Sequence, residues 1–159
     1  MDHSCEARFA AVAAALGHDF DGDIQIGGNY VSVVQHGAEV YVSGQIPRVG
    51  STVVVTGRVG ADVSLAEAQI GAKICAMRAL ALLRQALGSL ERVKQVLRIS
   101  VYVQSAQDFT RQSEVADAAS EVLHAVLGNA GVHTRTSVGV YQLPKNAAVE
   151  IDLIAVAGL

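Results

Sequence analysis

Between Ser64 and Gly88 the chain reads SLAEAQIGAKICAMRALALLRQALG, and this stretch constrains the fold more than any other. Ser64 followed three residues on by Glu67 forms a capping box, in which each side chain answers the other residue's backbone N–H. Gly88 is a natural stop, since glycine takes left-handed backbone without a Cβ penalty. A helix from there through Leu87 is apolar around most of its circumference, so it cannot rest on a surface with half its girth in water. It has to be buried against a broad apolar sheet.

The flanking sequence supplies one. Residues 30–45 alternate with a period of two, YVSVVQ and AEVYVSGQ, on either side of His36-Gly37, the pattern of a hairpin with glycine in its turn. Residues 52–56, TVVVT, add a third β-rich run between Gly50 and Gly57, and residues 93–103, VKQVLRISVYV, read as a central strand. Residues 108–127 predict a second long helix with Val115, Ala119, Val122 and Val126 inward, Glu114, Asp117, Glu121 and His124 outward, and Gly128 at its end. Two last strands, near 134–141 and 149–156, flank the loop Leu143-Pro144-Lys145-Asn146. Ahead of all this, SCEARFAAVAAALG predicts a helix with Ser4 as N-cap and Gly17 as stop, and the polar, glycine-rich residues 18–29 a connector. The expected order is ββ(β)αβαββ after a helical extension: an α+β chain with one sheet and both long helices on the same face. A length of 159 residues suits a single domain, with 1–29 as extension and connector and 30–157 as core.

Composition narrows the function classes. Half the residues are hydrophobic (51%) and only 17% are charged, which excludes a disordered chain and predicts that partner subunits cover part of the surface. The net charge is −3 with basic residues scattered singly, so there is no footprint for a phosphate backbone, and nucleic acid is not an expected partner. Cys5 and Cys75 stand 70 positions apart with no CxxC or CxxH spacing, which predicts two free thiols and neither a disulfide scaffold nor a zinc site. No basic leader precedes an apolar segment and no run approaches a membrane span, so a soluble cytoplasmic protein is expected, with no membrane partner.

The chemistry concentrates in HTRTSVGVYQLPKNAAVEID, residues 133–152. Strand periodicity separates Thr136, Val138 and Val140, which suit the core beneath the helices, from Arg135, Ser137 and Gly139, which share the opposite face. Arg135 would then stand beside a small hydroxyl and a glycine that leaves room for a ligand. A guanidinium fork holds a carboxylate bidentately at any relevant pH, and a nearby Glu150 could deprotonate water. By spacing alone, an Arg135–Glu150 ion pair at a subunit interface is an equal alternative. His133 competes as a base, against the plainer reading of a strand-entry histidine that is exposed or bonded to the backbone. Lys145 could meet an anion at a cleft mouth or simply be solvated, His36 belongs to a turn, and Tyr102, Phe109 and Tyr141 suit the core or an interface.

Taken together, VYVSGQIP (40–47), the capped helix, VYV (101–103) with DF (108–109), and TRTSVGVYQLPKNAAVEID resemble the Rid family, the reactive intermediate deaminases also called YjgF-type or endoribonuclease L-PSP-like proteins, in its longer subgroup. The resemblance runs from about Tyr30 to Ala157. It implies a chorismate-mutase-like fold of the bacillus type, a single mixed six-stranded sheet with two helices on one face, assembled as a homotrimer with clefts between neighbouring subunits. It implies that Arg135 grips the substrate carboxylate, that Glu150 handles the attacking water, and that Tyr30, Ser43 and Ser137 line the same cleft, with no metal or cofactor.

The reaction so implied is that of a 2-iminobutanoate/2-iminopropanoate deaminase: hydrolysis of a 2-imino acid, or its enamine tautomer, to a 2-oxo acid and ammonia. The rival readings are a non-catalytic regulatory protein that binds a small carboxylate and, last, an endoribonuclease or translation inhibitor. Two positions depart from the family pattern. Ala116 or Ala118 falls near a place where short members carry an asparagine, and Asn146 stands where the loop usually has glycine.

Overall fold

A computed structural model of the chain describes residues 2–158. The apolar segment forms helix α2 (Leu65–Leu87), and its N-terminus is the expected capping box, with the Ser64 hydroxyl accepting from the Glu67 N–H and the Glu67 carboxylate from the Ser64 N–H. Gly88 closes it at φ 84°. Fourteen of its residues are buried, among them Ile74, Met77, Leu80 and Leu83, so the sequence's demand for a covering sheet is met. Helix α3 (Gln112–Leu127) lies beside α2 and sinks Val115, Ala119, Val122 and Val126 as its periodicity requires, along with Leu123.

The strands are β1 (Val33–His36), β2 (Glu39–Gln45), β3 (Arg48–Val49), β4 (Thr52–Val53), β5 (Val93–Gln104), β6 (Thr134–Val140) and β7 (Val149–Ala157). Five of them form one mixed sheet in the order β1-β2-β7-β5-β6, antiparallel throughout except for the β5–β6 pair. The expected sixth strand is absent from this sheet. The run at 52–56 yields only the two residues of β4, which pair with β3 in a separate ribbon. Gly50 and Gly57, both with positive φ, bend the chain at either end, and the backbone of Val55 and Gly57 bonds instead to the loop before β7.

Both long helices cover one face of the sheet, where Val40, Val42, Ile99, Val101, Val103, Ile151 and Leu153 are buried. The opposite face, carrying Glu39, Tyr41, Glu150, Asp152 and Ile154, has no covering layer among the described residues. The N-terminal extension is held firmly. Helix α1 (Cys5–Leu16) is capped by Ser4 and ends at Gly17, and Phe9 meets Phe20 of the connector edge to face at 6.4 Å. Arg84 of α2 lies over the Phe9 ring and ion-pairs with Glu6 at 3.5 Å and Asp21 at 2.7 Å, which ties extension, connector and core together.

One expectation about the sheet is reversed. Arg135 pairs in register with the fully buried Ile99, and Ser137 and Gly139 with Val101 and Val103, so these three residues face the helices. Thr136, Val138 and Val140 face the uncovered side. Apolar alternation misleads here because β6 is an edge strand: the polar flank of α3 lies over its helix side, and valines occupy the side that no element among the described residues covers.

Candidate functional site

The fold brings Glu150 and Tyr30 together. They line a cleft of about 190 Å³ whose other walls include Gly44, Arg48, Arg78 and Lys145. The cleft exists because β2 is irregular at Ser43-Gly44: Val42 pairs with Leu153 and Gln45 with Ile151, so three steps along β2 match two along β7. The Glu150 carboxylate lies over the backbone of Gly44, where a Cβ would come within 2.2 Å of its Oε2. A side chain there would push the carboxylate out of its seat. Burial holds the Glu150 carboxyl above its ordinary range, and the neighbouring charge of Asp152 adds to the effect. Asp152 is raised as well, first by burial, with the hydroxyls of Ser100 and Tyr102 and the charge of Arg98 acting against it.

Ser43 sits on the other side of the bulge, in an adjoining groove with Tyr41 and Asp152, and its hydroxyl accepts a long 3.3 Å bond from the Gln45 amide. It borders the Glu150 cleft without lining it.

Arg135 and Ser137 are elsewhere. From the helix face of β6, Arg135 reaches α3: Nη1 lies 2.9 Å from the Asp117 carboxylate and donates to the Ser120 hydroxyl at 2.9 Å, while Nη2 donates to the Ser113 hydroxyl at 2.9 Å. Within one chain Arg135 and Glu150 do not meet, since the two side chains leave opposite faces of the sheet, so the alternative of an ion pair between them belongs to a subunit interface. The room beside Gly139 is already taken, because a Cβ there would lie 2.9 Å from the Gln112 amide and 3.1 Å from the Ser105 hydroxyl. Ala116 and Ala118 are both buried in the core, so α3 meets Arg135 through Ser113, Asp117 and Ser120 instead.

His133 takes the plainer of its two readings. Its Nδ1 donates to the Gly131 carbonyl at 2.6 Å, leaving Nε2 to accept from Ser120 at 2.9 Å, and Ser120 in turn accepts from Arg135. Burial pushes this imidazole below its ordinary pKa, with the charges of His124 and Arg135 acting the same way and the bond to Gly131 against them. A neutral His133 therefore orients Ser120, which helps fix Arg135.

Three residues that spacing arguments passed over shape the cleft. Arg78 is the lone charge in the apolar run CAMRALALL, which was its available signal; it is 4% exposed and donates to the Gln25 and Arg48 carbonyls, both at 2.8 Å, and to the Gln45 side chain at 3.2 Å. Arg48, next to Pro47, is 6% exposed, and its Nε is buried without a hydrogen-bond partner. Gln104, the last residue of β5, accepts from the Leu143 N–H at 2.8 Å and donates to the Gly57 carbonyl at 3.0 Å and the Asn146 side chain at 2.8 Å, so it shapes the loop that delivers Lys145. Lys145 and Asn146 hold left-handed backbone at φ 57° and 59°, a strained setting for lysine that aims it at the cleft. Asparagine tolerates that conformation, which accounts for Asn146 in a place that favours glycine.

Among the described residues no group of three His, Cys, Asp or Glu side chains could hold a metal ion, and no helix is long and apolar enough to cross a membrane. Tyr141 is 82% exposed, with Arg58 stacked on its ring at 4.8 Å.

Comparison with known proteins agrees with this architecture. Residues 7–156 match the family model described as "YjgF/chorismate_mutase-like, putative endoribonuclease". Protein TCP17 of Trypanosoma cruzi is 40% identical over 155 residues, 97% of each chain. Among solved structures, the Agrobacterium tumefaciens protein Atu1372, of unknown function, superposes with a TM-score of 0.83 at 36% identity over 96% of both chains. Escherichia coli TdcF with bound serine superposes at 0.60 and 27% identity, covering 87% of this chain and 95% of its own. The match to the family model spans nearly the whole chain, and the sheet, the paired helices and the Glu150 cleft all lie within it: this chain belongs to the YjgF/chorismate mutase-like family.

Proposed function

We propose that the protein hydrolyses small 2-imino acids to 2-oxo acids and ammonia, in clefts completed between copies of the chain in a homotrimer. The observation that carries this reading is Glu150: a half-buried carboxyl with a raised pKa, seated on Gly44 in the wall of a small cleft beside Tyr30. A carboxylate whose basicity is raised by burial is suited to taking a proton from water.

Arg135 enters from a neighbouring copy. Its strand is one of the two edges of the sheet, and the uncovered face between β6 and β1 presents Val34, Tyr41, Val138 and Ile154, a surface suited to packing against another chain. That TdcF, a relative, holds serine is consistent with an amino-acid-sized ligand.

In the mechanism, Arg135 of one copy holds the substrate carboxylate while Glu150 of the next removes a proton from water as its oxygen bonds to the imine carbon. Glu150 then returns that proton to the nitrogen of the resulting carbinolamine. As the C–N bond breaks, the hydroxyl proton passes through Glu150 to the departing nitrogen, so ammonia leaves and the 2-oxo acid remains. The imine is already electrophilic, so orientation and one proton shuttle suffice. The test is the decay of 2-iminopropanoate made in situ by a serine dehydratase. Acceleration by the wild type is expected; no acceleration, with saturable binding of 2-oxobutanoate, would make the protein a carboxylate-binding regulator instead.

A further inference from the structure

The cleft holds more positive charge than the hydrolysis of a simple imino acid requires. Arg48, Arg78 and Lys145 face a single carboxylate, Glu150. Neither Arg48 nor Arg78 has a carboxylate within ion-pair distance among the described residues, although both are more than nine-tenths buried. Arg78 is satisfied by neutral oxygens, two of them backbone carbonyls, and one of these belongs to Arg48 itself. Arg48 has no such compensation at Nε. Its Nη2 flanks Gly27 of the connector, where a Cβ would stand 3.7 Å from it and 3.8 Å from the Lys145 side chain.

A buried guanidinium without a counter-charge is costly to fold, and it persists where something else supplies the charge. Glu150 does not, since its pKa is raised rather than lowered in this setting. We infer that Arg48, carried by Arg78 and assisted by Lys145, is a second anion subsite in the Glu150 cleft, and that the preferred ligand is a small dicarboxylic 2-imino or 2-oxo acid whose distal carboxylate meets Arg48. This rests on the reading of the cleft as the substrate site. The division of labour follows from the geometry: Arg48 lines the same cleft as Glu150 within one chain, so it can engage the far end of a ligand whose near carboxylate is held by Arg135 of another copy.

The test compares two acids of equal chain length, 2-oxoglutarate and 2-oxopentanoate, by titration calorimetry on wild type, Arg48→Gln and Arg48→Lys. Charge-assisted hydrogen bonds of this kind correspond to roughly a ten- to hundredfold preference for the dicarboxylate in the wild type. In Arg48→Gln that preference is expected to vanish, and in Arg48→Lys to return in part. Thermal melting supplies the check on folding: without ligand, Arg48→Gln should melt no lower than the wild type, because the charge it removes is unpaired.

Equal affinity for the two acids, no binding of either, or a preference that survives Arg48→Gln would overturn the subsite; such results would point to Arg48 being neutralised by a second copy of the chain. The deaminase reading fails separately. Loss of 2-iminopropanoate turnover with the dicarboxylate preference intact removes only the hydrolysis, and turnover without the preference removes only the subsite.

Discussion

Glu150 and Arg135 leave the same sheet in opposite directions. Glu150 pairs across β5 with Tyr102, on the face that no helix covers, whereas Arg135 pairs with Ile99, whose side chain is sealed beneath the helices. A reaction needing both residues needs two chains, and the predictions below follow from that arrangement and from the cleft around Glu150.

Replacing Glu150 by glutamine should lower turnover of 2-iminopropanoate by about 10²- to 10⁴-fold, the usual contribution of a positioned acid–base group. The same variant has a stability signature. The folded pKa of Glu150 lies above its ordinary 4.5, so the wild type keeps the full benefit of the neutral carboxyl below that value and loses it as pH rises through the folded pKa. Glu150→Gln lacks this loss. Denaturant titrations should find it more stable than the wild type at pH 7 to 8, with the gap closing toward pH 4.

Gly44→Ala should be damaging through Glu150 alone. The added methyl would sit 2.2 Å from the carboxylate oxygen, so the Glu150 side chain has to swing out of its seat and turnover of 2-iminopropanoate should fall. In a Glu150→Ala background the same substitution should cost little, so the two changes should be strongly non-additive in a double-mutant cycle. Additive costs would mean that the backbone, rather than the carboxylate, excludes the methyl.

Arg78→Ala removes the donor that ties α2 to the connector and to the Arg48 carbonyl. Leaving those buried acceptors unsatisfied should destabilise the protein by about 2–4 kcal/mol in urea unfolding.

Cys75 is fully buried, its Sγ 3.8 Å from the Val149 carbonyl, and burial pushes its thiol far above the ordinary range. A thiol-specific reagent should therefore leave Cys75 unmodified in the native protein and label it once denaturant is added.

The architecture was legible where a single principle decides. Ser64, Glu67 and Gly88 bounded α2 correctly because capping is local chemistry, and the demand of an all-round apolar helix for a sheet followed from burial alone. Tyr30 and Glu150 do line one cleft, and it was family resemblance rather than spacing that had linked them. Periodicity failed on β6, where both faces carry small or apolar residues and an edge strand offers no unambiguous inside. It also overcounted the strands, since the β propensity of 52–56 yields to the glycine bends on either side. Arg48 was invisible for a different reason. An arginine after Pro47 looks solvated in the sequence, and only the connector folding over it, with Gly27 against its guanidinium, buries it.

The most direct test of the two-chain site is complementation. Arg135→Ala and Glu150→Gln variants, each inactive alone toward 2-iminopropanoate, are unfolded together, refolded as a mixture and assayed. Mixed assemblies should regain activity, because some clefts then receive an intact Arg135 from one chain and an intact Glu150 from another; a mixture as inactive as its components would contradict the account.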